Sequence, residues 1–482
     1  MRVTPRSPGP SRAPLARPAG VAPSTERRTA DVGGAMFMWR CNTGVGSRAV
    51  RRALDIDGDP AYGNDTNHPS KAGQPMVSTL HSPTQRGAIG ALLALTLVTG
   101  LTVAGHPAEA DAASAAPDPV WQSRASASYD ALQDNLYTGA AGHGLYRENT
   151  DAAEGNPYSF LWEYREATQA ALDLQGLPGV GPAYANSARA RVAGLENYYA
   201  VAPGGRPGYE SYLPAPLGTG GDVYYDDNGV VGLSFISQYH ATGDAQYLDR
   251  ARTAFTIASR GWNTDATLAC PGGVDWIDTA DNTTRGANVT GLAAQLAAHL
   301  YEETGENAYL RFSTQAYDWN ESCLKQSAGL YQNSRHDDGT VDPTLWTYNS
   351  GAMIATATIL YRATDDPTWL TKATDDARGS LAYWGAEGRL QQQPAIFNSF
   401  YVKDLLLLDS VQHDPTYRST IEQYADATWR DNRDPATGLF HFQPSGGGDY
   451  LPERPAATLD QSAMVQIFAA LGWSSDRLGQ IS

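Results

Sequence analysis

Two adjacent aspartates, Asp226 and Asp227, are the residues whose type and spacing most directly indicate chemistry. They follow Tyr224 and Tyr225 and come just before an apolar helical run that contains Gly232. Three other aspartate pairs occur in turns or on a polar helix, at Asp337-Asp338, Asp365-Asp366 and Asp375-Asp376. Only the first pair combines aromatic neighbours, a helix N-terminus and a small residue one turn later. Paired carboxylates at a cleft are typical of sugar hydrolysis, so this pair is the candidate catalytic site.

A structural role for the pair is the alternative. One aspartate can cap a helix N-terminus, and a second carboxylate in the first turn interacts favourably with the helix dipole. If the pair is catalytic, adjacency favours a retaining mechanism, whose carboxyl groups lie about 5–5.5 Å apart, whereas inverting pairs need roughly 6.5–9.5 Å. The neighbouring charge would raise the pKa of the carboxyl that protonates the leaving oxygen.

The elements that must position the pair repeat along the chain. The segment TGDAQYL, which begins at Thr242, recurs as TGENAYL from Thr304 and as TDDPTWL from Thr364, after intervals of 62 and then 60 residues, and a looser copy begins at His413. An aromatic residue follows each turn, at Tyr247, Tyr309, Trp369 and Tyr417. A fixed period of this length indicates a repeated supersecondary unit.

Each turn joins an apolar helix to a more polar one, which predicts an αα-hairpin. Five or six hairpins fit between Ser123 and Trp473. The sequence therefore predicts an all-α fold, an (α/α)6 toroid whose inner helices surround an axial cleft; an open solenoid is the alternative. The loops at 201–229, 260–290, 326–350, 386–398 and 432–460 would open at one mouth, where we expect the site.

Seven motifs occur in a fixed order: YYDDNGVVGL from Tyr224, TGDAQYLDRA from Thr242, GGVDW from Gly272, RGANVTG from Arg285, WTYNSG from Trp346, IFNSFYVKDL from Ile396 and LDQSAMV from Leu459. This ordered set resembles glycoside hydrolase family 76, the α-1,6-mannanases, over about residues 121–473. The resemblance implies an (α/α)6 barrel and retaining endo-hydrolysis of α-1,6-mannan. It also implies that Asp226 is the nucleophile and Asp227 the acid/base.

The chain departs from the family pattern at two places. The family usually has a tryptophan shortly after Asp-Asp-Asn, where this chain has Gly229-Val230-Val231, and a Lys-Gly pair where this chain has Pro394-Ala395. Loss of the aromatic would open a subsite to bulkier or branched sugars. The exact glycan and the choice between endo and exo action therefore stay open.

Candidate sugar-binding residues are aromatic side chains for stacking on pyranose faces and amides for hydroxyl groups, namely Tyr224, Tyr225, Trp276, Trp346 and Tyr348 together with Asn228, Asn288 and Asn349. The alternative is that the aromatic residues are lids over the core. Asp275 and Asp342 are treated as turn residues or further cleft carboxylates, outside catalysis.

Charge and composition limit the function classes. The formal net charge is −17, which argues against binding to nucleic acid or anionic lipid. Enzymes that act on acidic glycans in similar toroids would want a basic cleft, so they too are disfavoured. A secreted glycan-binding protein without turnover is the other alternative. We expect a monomer whose partner is a mannan-type polysaccharide or a mannosylated glycan.

The N-terminal region predicts export. Residues 87–104 form an uncharged stretch that is preceded by Arg86 and followed by small-residue cleavage sites, so residues 76–116 are predicted to be a secretory signal peptide and the protein to be secreted. A transmembrane helix is the alternative, but no basic stop-transfer flank follows. Residues 1–75 are expected to be a non-native upstream extension, with Met76 as the true start, or disordered. The hydrolase domain would then span 117–482.

Cysteine usage agrees with export. Beyond the signal segment only Cys270 and Cys323 remain, which favours one disulfide, with two separate buried thiols as the alternative. The chain has neither a C-x-x-C nor an H-E-x-x-H motif, and its histidines are scattered. We therefore expect no metal and no cofactor.

Overall fold

Six buried helices form an inner ring in the computed structural model, which describes residues 119–151, 156–201 and 205–482. The predicted signal peptide and the tract before it lie outside these residues. The inner helices are α2 (Leu161–Gln175), α4 (Tyr225–Thr242), α6 (Ala287–Thr304), α8 (Thr347–Thr364), α11 (Ala395–Asp409) and α13 (Thr458–Gly472). Almost all of their residues are buried except in the last turn, because each helix has neighbours on every side.

Six outer helices cover this ring and each buries a single stripe. They are α1 (Pro119–Leu136), α3 (Ala185–Gly194), α5 (Ala245–Ser259), α7 (Asn307–Cys323), α9 (Pro367–Trp384) and α12 (Pro415–Asp431); α10 (Arg389–Gln392) is one short turn between α9 and α11. In α5 the buried residues Ala251, Ala254, Ile257 and Ala258 recur at the spacing of one helix face. The other face carries charged side chains to solvent.

The inner ring closes on itself. Each inner helix contacts the next, and α13 contacts both α11 and α2. The first outer helix, α1, packs on α13, where Trp121 stacks on Phe468 with ring centroids 6.2 Å apart. A closed ring of six pairs of inner and outer helices, five of them hairpins and the sixth formed by α13 and α1, confirms the predicted (α/α)6 toroid and excludes the open solenoid.

The repeated turn has a local physical basis. Thr242 donates its hydroxyl to the carbonyl of Gln238 at 2.7 Å and ends the inner helix, and Gly243 then adopts a left-handed conformation with φ 68°. Asp244 caps the outer helix by accepting a hydrogen bond from the backbone N–H of Gln246 at 3.1 Å. The three residues Thr-Gly-Asp therefore end the inner helix, reverse the direction of the chain and start the outer helix.

At two of the turns the aromatic residue packs on the preceding outer helix. Tyr309 contacts Phe255 edge to face at 5.1 Å, and Trp369 contacts Tyr317 in the same way at 5.1 Å. These contacts join α5 to α7 and α7 to α9.

Short strands occupy loops that the sequence analysis described only as long connections. An antiparallel sheet contains β3 (Thr284–Gly286), β4 (Lys325–Ser327), β5 (Leu330–His336) and β6 (Val341–Leu345), and a separate hairpin contains β1 (Tyr199–Val201) and β2 (Pro207–Tyr209). Strands of three to seven residues are too short to show a clear alternation of polar and apolar residues. They matter for the site because β3 leads directly into α6 and β6 into α8.

No helix within the described part of the chain has the length and apolar character needed to cross a membrane.

Candidate active site

Asp226 and Asp227 lie in the first turn of α4, at the mouth where the inner helices begin. The helix starts at Tyr225, five residues earlier than the apolar run suggested, because Tyr224 is extended and the two carboxylates suit the positive end of the helix dipole. Their exposed fractions are only 7% and 8%. Two nearly buried carboxyl groups therefore share one helix end.

Asp226 is held by three hydrogen-bond donors. Its Oδ1 accepts the backbone N–H of Asp227 at 3.1 Å, and its Oδ2 accepts Trp276 Nε1 at 3.2 Å and Asn288 Nδ2 at 2.9 Å. Burial raises the pKa of Asp226 to about 6, while these donors act in the opposite direction. The arrangement favours an ionised, fixed carboxylate near neutral pH.

Asp227 has the opposite surroundings. Burial raises its pKa well above the ordinary value, and the negative charges of Asp226 and Glu166 raise it further, whereas Arg165 lowers it. Within the described residues its carboxyl group has no set of donors comparable to that around Asp226. Asp227 is therefore the member of the pair that keeps a proton. Two adjacent carboxyl groups with divergent environments can act as base and acid at the same pH.

Charged residues of α2 lie close to the aspartate pair and bind α4. They were not predicted from the sequence. Arg165 forms a buried ion pair with Glu166 at 2.7 Å and donates through Nε to the carbonyl of Val230 and to Ser234 Oγ, both at 2.9 Å. Gln466 Nε2 on α13 donates to Glu166 Oε2 at 2.8 Å. The sequence of α2, LWEYREATQAALDLQ, mixes polar and apolar residues, so no local signal marked these charged residues as buried.

Two further carboxyl groups lie at the mouth: Glu163 is close to Asp227, and Glu148 is close to Glu163. Glu163 is 1% exposed, and burial raises its pKa well above the ordinary value, with added contributions from Glu148 and Asp227. Burial also raises the pKa of Glu148 to about 7, against a backbone hydrogen bond of 3.2 Å from Phe160. The cleft therefore contains several buried acidic groups. This agrees with the expectation that acidic glycans are disfavoured as substrates.

Two groups of aromatic side chains lie beside the aspartates. The first contains Tyr224 and Trp276, both half-buried, with ring centroids 5.0 Å apart at an angle of 60°. In the second, Phe397 stacks on Tyr348 at 3.9 Å and contacts Trp346 edge to face at 5.4 Å. Phe397 was not predicted as a site residue.

Both groups border the aspartate pair. Trp276 donates to Asp226, and the charge of Asp226 contributes to the raised pKa of Tyr348. The structure thus brings together five predicted site residues around Asp226 and Asp227: Tyr224, Trp276, Asn288, Trp346 and Tyr348.

Three other predicted sugar-binding residues are not placed for that role. Asn228 is fully buried and uses its amide to bind the backbone of Tyr209 and Tyr224, so it fixes β2 to the start of α4. Tyr225 packs in a small cluster that includes Val274. Asn349 is fully buried on α8. Spacing alone did not reveal which side of each helix faces the core.

The residues that replace the family tryptophan also differ from expectation. Val230 and Val231 are fully buried in the main core, and a Cβ on Gly229 would lie 3.6 Å from Leu292 of the next inner helix. The expectation that this stretch opens a subsite is therefore wrong, because these residues serve helix packing. Gly232 also serves helix packing, because a Cβ at this position would overlap the side chain of Leu296.

Asp275 and Asp342, left outside catalysis, serve local loop contacts. Asp275 accepts a hydrogen bond from Asn263 at 3.1 Å, and Asp342 accepts one from Asn333 at 2.8 Å.

The loop that carries Trp276 is fixed by a disulfide and a buried arginine. Cys270 and Cys323 are joined, with Cα atoms 6.1 Å apart. Arg285 donates to the carbonyls of Cys270 and Gly272, both at 2.8 Å. Among the described residues no group of three or more histidine, cysteine or acidic side chains is arranged to hold a metal ion.

Several solved structures with this architecture are described as glycoside hydrolase family 76 proteins. A mannosidase of glycoside hydrolase family 76 from Bacteroides thetaiotaomicron, Bt3792, has a TM-score of 0.65 and 22% identity, covering 73% of this chain and 98% of that one. An inactive variant of an α-1,6-mannanase from a Salegentibacter species, described as bound to α-1,6-mannotriose, has a TM-score of 0.59 and 17% identity, covering 73% and 99%. At these identities the likeness shows the fold.

Sequence comparison gives the same family. A putative mannan endo-1,6-alpha-mannosidase of Schizosaccharomyces pombe is 29% identical over 160 residues, which is 30% of this chain. The matched stretch spans only 36% of that relative's length. The family described as Glycosyl hydrolase family 76 matches residues 120–469. Because that match covers nearly all of the described toroid, the chain belongs to glycosyl hydrolase family 76.

Proposed function

We propose that this chain is a retaining glycoside hydrolase that cleaves α-1,6-mannosidic linkages, with Asp226 as nucleophile and Asp227 as general acid/base. One observation carries the proposal: Asp226 accepts three hydrogen bonds, whereas Asp227 is buried beside it with a strongly raised pKa. This asymmetry supplies an ionised nucleophile and a protonated acid at one helix end.

The chemistry follows from this arrangement. The carboxylate of Asp226 attacks the anomeric carbon through an oxocarbenium-like transition state and forms a glycosyl ester, while Asp227 gives its proton to the departing glycosidic oxygen. Asp227 then removes a proton from water, whose oxygen attacks the anomeric carbon and releases Asp226. Trp276 and Asn288 hold Asp226 in one rotamer throughout, so little reorganisation is needed during attack.

The relatives support mannan as the substrate. The Schizosaccharomyces pombe relative is named as a putative mannan endo-1,6-alpha-mannosidase, and the Salegentibacter structure is of an α-1,6-mannanase with bound α-1,6-mannotriose. In that inactive variant two adjacent aspartates are replaced by asparagine. The half-buried rings of Tyr224, Trp276 and Trp346 offer stacking surfaces for uncharged sugars.

The direct test is hydrolysis of defined glycans by the purified chain. We expect reducing ends to be released from linear α-1,6-mannan and not from an α-1,4-glucan. NMR at early times should show the α-anomer as the first product, since retention preserves configuration. A β-anomer would contradict the nucleophilic role of Asp226. Binding of mannan without turnover would instead support a glycan-binding function.

The pH dependence of kcat/KM should follow the two pKa values of the pair. Activity requires Asp226 ionised and Asp227 protonated. Because the pKa of Asp226 is raised to about 6, we expect kcat/KM to increase as the pH rises through about 6. It should decrease at a higher pH, when the pair loses its second proton. A profile measured on α-1,6-mannotriose that shows no decrease at alkaline pH would contradict the acid role of Asp227.

We further propose that the chain is exported. The pairing of Cys270 with Cys323 supports this, because disulfides persist in oxidising compartments. A polymeric cell-surface or environmental mannan would also be met outside the cell.

A further inference from the structure

A hollow of about 480 Å³ lies at the mouth end of the toroid, away from the catalytic pair. It is formed where β4, β6, the end of α9 and α10 meet. Its lining combines the side chains of Leu345, Tyr383 and Trp384 with the amides of Gln326, Gln392 and Gln393. Neither Asp226 nor Asp227 lines it. Its volume is within the range of small-molecule sites.

The lining favours an uncharged ligand rich in hydroxyl groups. The partly exposed ring of Tyr383 provides a surface for the apolar face of a pyranose, with the buried Trp384 behind it, and each glutamine amide both donates and accepts hydrogen bonds. Arg389 and Glu387 also line the hollow, but they form an ion pair with each other, which leaves no unpaired charge for a phosphate or carboxylate.

The aromatic surface is held in place before any ligand binds. The guanidinium of Arg389 lies over the ring of Tyr383, 4.5 Å from its centroid, and donates to the carbonyl of Tyr383 at 3.0 Å. Trp384 contacts the same ring edge to face at 4.8 Å. A fixed ring loses little conformational entropy when a sugar stacks on it.

The hollow is also joined to the candidate active site. Leu345 directly precedes Trp346, and Gln393 Oε1 accepts the backbone N–H of Thr347 at 3.2 Å. The next residue, Tyr348, belongs to the aromatic group beside Asp226. One short backbone segment therefore has the hollow on one side and the catalytic cleft on the other.

A second, smaller hollow of about 140 Å³ adjoins the first, since Gln392 lines both. It contains Tyr424, Asn432 and Tyr450. The same combination of rings and amides thus continues along the rim of the mouth.

We infer that the larger hollow is a distal subsite that binds a mannose residue of the same α-1,6-linked chain whose cleaved bond lies at Asp226. This inference rests on the proposed function and extends it, because it makes the enzyme favour long glycans over short ones. A polymer long enough to extend from Asp226 to the hollow gains contacts there that a shorter glycan lacks, and we expect a trisaccharide to be too short.

The test compares substrates of two lengths. For Tyr383→Ala and for Gln392→Ala we expect the ratio of kcat/KM on linear α-1,6-mannan to kcat/KM on α-1,6-mannotriose to fall about fivefold, mainly through KM. Gln392 is exposed, so its replacement leaves the core intact. Tyr247→Ala is the matched control, because this half-buried tyrosine starts α5 at the opposite end of the toroid. A wild-type ratio in both variants would overturn the distal subsite.

The two proposals can fail separately. If the wild-type protein hydrolyses neither probe, the proposed function is wrong. Retardation of the protein in a gel that contains linear α-1,6-mannan then tests the distal subsite independently of catalysis. Weaker retardation of Tyr383→Ala and Gln392→Ala than of Tyr247→Ala supports it, and equal retardation of all three overturns it.

Discussion

Replacing Asp226 with asparagine is expected to lower kcat/KM on linear α-1,6-mannan by about 10⁴-fold or more, because the amide cannot form the glycosyl ester. The substitution changes the shape of the side chain very little. Its carbonyl oxygen can keep the hydrogen bonds from Trp276 and Asn288, and only the bond from the backbone N–H of Asp227 is lost, because the amide nitrogen takes the place of Oδ1. The thermal midpoint and mannan binding should therefore stay close to those of the wild type.

The matched control is Asp275→Asn, which changes a half-buried aspartate on the same side of the molecule. Its hydrogen bond to Asn263 is local to the loop, so we expect activity within about threefold of wild type, the range of surface substitutions. Reducing-sugar release and calorimetry on both variants give the comparison. Activity of Asp226→Asn within tenfold of wild type would show that Asp226 is not the nucleophile.

Replacing Asp227 with asparagine is expected to act selectively. On mannan, whose leaving group is a poor one, kcat/KM should fall by about 10²–10⁴-fold because proton donation is lost. On a dinitrophenyl α-mannoside the first step needs no proton, so the rate of dinitrophenol release in the first turnover should fall far less. Comparable losses on both substrates would contradict the acid role.

The same variant makes a prediction about stability. Because the folded state raises the pKa of Asp227, ionising this group opposes folding once the pH exceeds its unfolded value. The neutral asparagine removes that cost. Asp227→Asn should therefore have a higher free energy of unfolding than wild type at pH 8, and the difference should shrink towards pH 4. Urea unfolding at the two pH values measures it.

Local sequence determined the fold to a large extent. The T-G-D turns and the aromatic residue after each one specify contacts within a hairpin or between successive hairpins, so a period of about sixty residues was enough to predict the toroid. The aspartate pair was likewise visible because both residues are adjacent. Trp276 and Asn288 were predicted as sugar-binding residues, and the structure shows that they also hold Asp226.

Contacts between distant segments could not be predicted in the same way. Glu163 reaches Asp227 only because α2 lies beside α4, and nothing in the local pattern around Glu163 distinguishes it from a solvent-exposed charge. Asn228 was misjudged for the opposite reason. It follows the aspartate pair directly, but the helix rotation turns its amide towards β2.

Closure of the ring has a consequence for biosynthesis. Among the described helices, α1 is translated first, and it packs on α13, the last α-helix. Trp121 can therefore stack on Phe468 only after almost the whole domain has been synthesised. Until α13 is available, α1, α2 and α11 each lack a neighbour and expose apolar surface. Hairpins can form one by one during synthesis. The whole toroid, however, can fold cooperatively only after α13 has been synthesised. A nascent chain of this kind depends on protection from aggregation until synthesis is complete.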